Sequence, residues 1–230
     1  MYEFTKRVFD VVVALVLLLV LLPLLLPLVL ILKLTDEGEV FYFQDRVGFQ
    51  NRKFSIWKFA TMLKDSPNMS GGEITLRNDP RITTAGKFLR LTKLNELPQL
   101  VNVLIGDMSF VGPRPLMPVS FEQYAPEVQE RVYESRPGIT GIGSVIFRDE
   151  EKLVTDSGMD PRAFYRDYVF TYKGALEMWY QDHKSLYVDL MLIILTAWVI
   201  FFPESALAYR VFPDLPQRPG ALSPSPTGSN

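Results

Sequence analysis

The chain has 230 residues, 48% of them hydrophobic, with 24 basic and 26 acidic side chains and a net charge of −2. That length allows one main folded body with a real core, and the lack of a basic excess argues against nucleic-acid binding. With no cysteine and His183 as the sole histidine, disulfides, thiolate metal sites, cysteine nucleophiles and histidine clusters are excluded. Acid, base and nucleophile must then come mainly from carboxylates, hydroxyls, Lys and Arg.

Val11 to Leu32 carries no charge over 22 residues, which at about 1.5 Å per residue matches the hydrocarbon thickness of a bilayer. Lys6 and Arg7 precede it and no small-residue cleavage site follows, so a retained anchor is expected rather than a removed signal. Pro23 and Pro27 lie in its second half, where each removes a backbone donor. Two topologies follow, a kinked span or a helix that breaks and returns to the face it entered. The basic pair holds the N-terminus on the cytoplasmic side in either one.

Asp36 to Gly48 reads as turn, strand from Val40 to Phe43, and turn. Arg46, Arg52, Lys53, Lys58 and Lys64 follow, interleaved with Phe49, Phe54, Trp57 and Phe59, a mixture that suits anionic headgroups as well as an ordinary solvated face. Asp65 to Asp79 is rich in turn formers and predicts a mobile loop. Arg77, Arg81, Lys87, Arg90 and Lys93 then lead into the stretch from Arg90 to Pro115, around which the chain is organised. Leu91, Leu94, Leu97, Val101 and Leu104 recur at helical spacing and predict one buried stripe. Asn95 and Glu96 interrupt it just before Pro98, and the stretch closes on Gly112-Pro113-Arg114-Pro115, where a proline on each side restricts the backbone that carries the guanidinium. This pattern suits a phosphate held near a carboxylate; the same letters also suit a plain helix start.

Further on, Tyr124 to Tyr133 predicts a surface helix, and Arg136-Pro137-Gly138 a turn that again sets an Arg beside a proline. Arg148 is followed by Asp149, Glu150 and Glu151. Phe164 to Tyr187 predicts an aromatic-rich helix suited to a lipid–water interface, with His183 a surface or packing residue. Leu186 to Phe202 is short and broken by Asp189, so a buried or interface-lying helix is expected rather than a span. Beyond Phe212 repeated prolines with Ser and Gly predict a disordered tail.

Lys6 to Met62, Asp79 to Arg90, the central stretch and the Arg136–Gly141 run RPGITG together resemble, in order, the bacterial sugar transferases, the monotopic phosphoglycosyl transferases. The resemblance implies an α+β, mainly helical protein with an N-terminal re-entrant helix-break-helix hinged at Pro23 and Pro27 over residues 1–35. A cytoplasmic catalytic domain with short strands and interface-lying helices follows over 36–205, then a tail over 206–230. It further implies transfer of a sugar 1-phosphate from a UDP-sugar to polyprenyl phosphate, with Mg2+ and release of UMP, at the cytoplasmic face of the bacterial inner membrane. UDP-sugar, polyprenyl phosphate and membrane lipids are the implied partners, nucleic acid is not, and a homodimer is left open.

By the same resemblance Arg81, Arg90 and Arg114 are phosphate ligands, with Arg136 and Lys58 contributing to substrate binding and Glu96 the principal carboxylate and metal ligand. The family pattern has Asp-Glu in the central helix, its Asp taking the phosphosugar; here Asn95 stands in that place. A neutral amide has no anionic oxygen to attack phosphorus, so Asn95 is left to orient a phosphate or water. Leu22 and Ala60 also replace the family's usual Ser and Arg. With the expected Asp missing, Asp149, Glu150 and Glu151 form a reserve of metal ligands or of a nucleophile. The alternative to an enzyme is a non-catalytic relative that binds nucleotide-sugar or lipid phosphate as a scaffold or regulator.

Overall fold

The computed structural model describes residues 1–35, 37–66, 79–150, 153–154 and 157–222. These divide into two compact units, each built from separated stretches of chain: residues 7–45 with 55–106, and residues 1–6 with 46–54 and 107–230. Helices dominate and strands are short, as the α+β expectation has it.

The first of these units is built on α1, Tyr2–Leu34, a single helix that continues through both Pro23 and Pro27. The expected break is therefore absent as a loss of helix; each proline deletes one backbone bond and permits a kink without ending the element. Most of α1 is exposed apolar surface, with Leu19, Val20, Leu26 and Leu30 among its exposed residues. It is long and apolar enough to enter a membrane. Two well-separated stretches of it nevertheless pack on this one unit. Near its start, Arg7 donates to the carbonyls of Val103 and Leu104 at 2.6 and 2.7 Å; near its end Leu25, Leu28, Val29 and Leu32 pack on Phe59 and Leu89. A straight helix would separate residues 7 and 32 by about 37 Å, more than the width expected of so small a body.

The strands β1 (Phe41–Val47) and β2 (Lys53–Phe59) pair as a two-stranded sheet. Asn102, fully buried in α3 (Gln99–Ile105), stands in for a third strand on β2: its amide nitrogen donates to the carbonyl of Ser55 and its oxygen accepts the N–H of Trp57, both at 2.9 Å. Between them, α2 (Thr84–Leu91) is started by Thr83, whose hydroxyl accepts the N–H of Gly86 at 3.0 Å. Gly86 has no room for a side chain, since a Cβ there would sit 2.2 Å from the Thr61 carbonyl oxygen. Gly86→Ala is expected to lower stability by about 1–3 kcal/mol by forcing α2 off that backbone, read as the loss in a denaturant titration in detergent.

In the other unit β3 (Ser109–Val111) and β4 (Gly138–Thr140) pair in parallel, Ser109 opposite Gly138 and Val111 opposite Thr140. Short helices α4 (Pro118–Phe121), α5 (Pro126–Arg131), α6 (Ile142–Ile146) and α7 (Pro161–Phe164) lead to the long helices α8 (Phe170–His183) and α9 (Leu186–Phe201). A π turn over Tyr165–Val169 joins α7 to α8. Tyr172, Trp179 and Tyr180, expected at a lipid interface, are instead core residues of α8, packed with Leu176, Leu192 and Leu195. Their aromatic rings fill the interior, and their polar atoms find internal partners: Trp179 donates to Asp214 and Tyr180 to Asp189, at 2.9 and 2.8 Å.

Helix α9 buries Val188, Leu192, Leu195 and Val199 and exposes Leu190, Ile194 and Trp198, so one face is core and the other open. Residues 206–222, expected in the disordered tail, are folded. Phe212, Leu215 and Leu222 join the same core, and α10 (Leu207–Val211) precedes them, so three apolar anchors outweigh the prolines between them. The rest of that tail, and the loop from 67 to 78 with Arg77, lie outside the described residues.

Candidate active site

Asn95 and Glu96 stand in a single 3-10 turn, Leu94–Glu96, between α2 and α3. Lys93 enters that turn in the left-handed region at φ 60, and Pro98, which cannot donate to a preceding turn, caps the next helix. The change of phase overturns the single buried stripe expected from Leu91 to Leu104. Leu91 is 84% exposed, and α3 buries Leu100 and Val103 in its place.

Asn95 is buried, and its Oδ1 has no hydrogen-bond partner among the described residues; Glu96 beside it is half-buried. Leu94, in the same turn, packs against the cluster of Leu32, Phe59 and Leu89 that receives the C-terminal end of α1. Arg90 donates from Nε to the Thr61 hydroxyl at 2.9 Å. Burial pulls its guanidinium below the usual value, Asp79 and Glu96 acting against that and Arg81 with it, so these four charges share one neighbourhood.

Arg81 meets Asp79: Nε lies 2.9 Å from Oδ1 and Nη2 2.6 Å from Oδ2, with both residues buried. The hydrogen bonds from Arg81 hold the Asp79 carboxyl down at about 2. Any stability this gives is complete above the ordinary carboxylate range near pH 4 and is lost as the pH falls toward 2. Lys58, on β2, is half-buried in the same unit.

Arg114, Arg136 and Asp149 belong to the other unit. The loops that carry the two arginines run side by side, the N–H of Gly138 donating to the Pro113 carbonyl and that of Gly112 to Thr140, both at 2.9 Å. Arg114 is exposed, while the Arg136 guanidinium lies 5.0 Å from the centre of the Phe49 ring. Asp149 is exposed, Glu150 pairs with Lys173 at 2.6 Å, and Glu151 lies outside the described residues. Among the described residues no three His, Asp or Glu side chains gather to hold a metal. His183 stacks on Trp179 at 4.8 Å, in keeping with a packing role.

A model of the bacterial sugar transferase family matches residues 1–203. The chain belongs to that family. The chain is 33% identical over 218 residues to the undecaprenyl-phosphate galactose phosphotransferase of Salmonella typhimurium, covering 88% of this chain and 42% of that protein. It is 37% identical over 206 residues to the undecaprenyl-phosphate glucose phosphotransferase of Komagataeibacter xylinus, covering 87% and 36%. It is 33% identical over 205 residues to the exopolysaccharide production protein ExoY of Rhizobium meliloti, covering 83% of each. The chain thus spans less than half of the first two relatives and most of the third.

One residue of the chain that patterns do not flag is Glu177, in α8. It is fully buried and accepts the backbone N–H of Arg114. Desolvation pushes its carboxyl up to about 8, against the pull of that N–H and of Lys173 and Arg114. The folded protein therefore holds a proton between pH 4.5 and 8 that the unfolded chain has released, and stability falls as pH rises across that window. Glu177→Gln is expected to flatten this slope, so that the variant overtakes the parent in melting temperature above pH 8. Only the Lys173–Glu177 spacing of four hints at the site in sequence, and burial is not visible there.

Proposed function

We propose that the protein moves a sugar 1-phosphate from a UDP-sugar to polyprenyl phosphate, releasing UMP, at the cytoplasmic face of the bacterial inner membrane. One observation carries it: the far end of the membrane-type helix α1 packs on the cluster that also seats the Asn95–Glu96 turn, so a lipid alongside α1 has a short path to Glu96 and Arg90. The names of the relatives, phosphotransferases acting on undecaprenyl phosphate, support the same reading, and two well-separated stretches of α1 packing on one unit support a re-entrant course in the bilayer.

In this reading an oxygen nucleophile attacks the β-phosphorus of the UDP-sugar. The bond from that phosphorus to the bridging oxygen breaks, and UMP leaves with the bridging oxygen and its electron pair. The nucleophile is either the lipid phosphate itself or the Glu96 carboxylate, which then passes the phosphosugar to the lipid phosphate. Arg90 shares the diphosphate charge and Asn95 orients a phosphate oxygen or water through its amide. Glu96 and the unpartnered Asn95 Oδ1 are hard oxygen donors and fit a magnesium ion that takes its other ligands from diphosphate and water. When bound, magnesium neutralises charge on the diphosphate oxygens.

UMP measured from a panel of UDP-sugars, with and without undecaprenyl phosphate, tests this. Release without acceptor marks the Glu96 route, release only with acceptor marks direct attack, and no release with any sugar overturns the proposal. The last outcome favours the second reading, a binding relative without turnover, for which the neutral Asn95 is the one argument.

A further inference from the structure

The geometry points to Glu177 as the positioning residue that fixes Arg114, and to Gly143 as the gap that lets the Glu177 carboxyl reach it. This rests on the proposed UDP-sugar reaction and on Arg114 being the phosphate ligand that the family resemblance implies. Arg114 itself is exposed, between Pro113 and Pro115. Its backbone is held from two sides. On one side the Tyr133 hydroxyl donates to the Arg114 carbonyl at 2.8 Å and accepts the N–H of Leu116 at 2.9 Å. On the other the Arg114 N–H goes to Glu177. The loop is thus clamped by two side chains, a tyrosine from the end of α5 and an acid from the middle of α8.

An acid is a costly choice for a site 3% exposed. An acceptor for one N–H could be a Gln or Ser at no charge penalty. Glu177 has Oε2 buried without a hydrogen-bond partner among the described residues, which leaves Oε1 to serve the loop. That same Oε1 lies 2.6 Å from where a Cβ on Gly143 would be, closer than any side chain tolerates. Gly143 sits in α6, where no left-handed backbone calls for glycine, so its missing side chain is explained by the carboxyl that occupies the space. Lys173, one turn earlier on α8, is engaged by Glu150 and lies over the Phe147 ring at 5.0 Å, which keeps a positive charge beside the acid without a direct bond to it. The whole arrangement, Gly143, Glu177, Arg114 and Tyr133, lies within one unit.

The test is UDP binding by titration calorimetry on the full chain in detergent, which needs no turnover. Glu177→Ala is expected to weaken UDP binding about tenfold, the size of a lost buried hydrogen bond to a loop. Glu177→Gln keeps an acceptor in place and is expected to bind within about twofold of the parent. Gly143→Ala, which pushes the carboxyl aside from its far face, is expected to reproduce the loss. In an Arg114→Ala background, Glu177→Ala is expected to cost nothing more, because its effect runs through Arg114.

Affinity unchanged in Gly143→Ala, or a Glu177→Ala loss that persists undiminished without Arg114, overturns the positioning role. If Glu177→Ala does not fold, the Gly143→Ala and Glu177→Gln pair decides alone, an equal affinity in all three proteins counting against it. A parent chain that binds no UDP overturns the proposed function instead.

Discussion

Glu96→Gln is expected to lower UMP release from a UDP-sugar by at least about 100-fold, and Asn95→Asp to raise it by about tenfold or more. Both follow from the turn between α2 and α3. Glu96 is the one carboxylate in that turn, half-buried and within electrostatic reach of Arg90. Replacing it by an amide of the same shape removes the charge and keeps the packing, so any loss is chemical. Asn95 is buried with an oxygen that nothing in the described residues satisfies. An aspartate there supplies an anionic oxygen in the same place, at the cost of a second negative charge beside Glu96. Melting temperature with and without magnesium reads that cost: the Asn95→Asp variant is expected to be less stable than the parent without the ion, and to recover more of the difference when it is added. Full turnover in Glu96→Gln would remove the chemistry from this turn altogether.

Lys6→Met is expected to destabilise the protein by about 3–5 kcal/mol, the largest effect on stability expected of any single change here. Lys6 and Asp189 form a buried pair at 2.5 Å, and the same carboxylate accepts hydroxyl bonds from Tyr2 at 2.9 Å and Tyr180 at 2.8 Å. Removing the ammonium leaves a buried carboxylate supported only by phenols. The double variant Lys6→Met with Asp189→Leu is expected to regain most of the loss, since neither charge is then stranded, and urea unfolding in detergent distinguishes the two. Equal midpoints for Lys6→Met and the parent would show the pair to be idle.

The elements whose identity depends on a local signal were legible in the sequence. The apolar run of α1, the strand at Phe41, the helix at Pro126 and the long helix starting at Leu186 all follow from composition and periodicity. What periodicity cannot show is a change of phase. The left-handed Lys93 splits a run of leucines that reads as one helix, and Leu91 ends up in solvent. Nor does it separate an aromatic that faces lipid from one that fills a core: the positions of Trp179 and Tyr180 depend on their partners Asp214 and Asp189, which lie outside their helix. At the candidate site the residue types were legible and their engagements were not. Arg81 is bound to Asp79 two residues away, and Glu177, whose backbone contact sets Arg114, looks in sequence like one more charge on a helix.

The two prolines of α1 carry a consequence for how deep the protein sits. Each strips a carbonyl four residues earlier of its intrahelical donor, at Leu19 and at Pro23. An orphaned carbonyl is tolerable where water or headgroups reach and costs several kcal/mol in dry hydrocarbon. In the re-entrant reading proposed above, those two oxygens act as a float line, favouring shallow immersion in one leaflet over passage through the midplane. Thickening the bilayer should leave α1 where it is, whereas a helix that crossed would have to tilt or stretch.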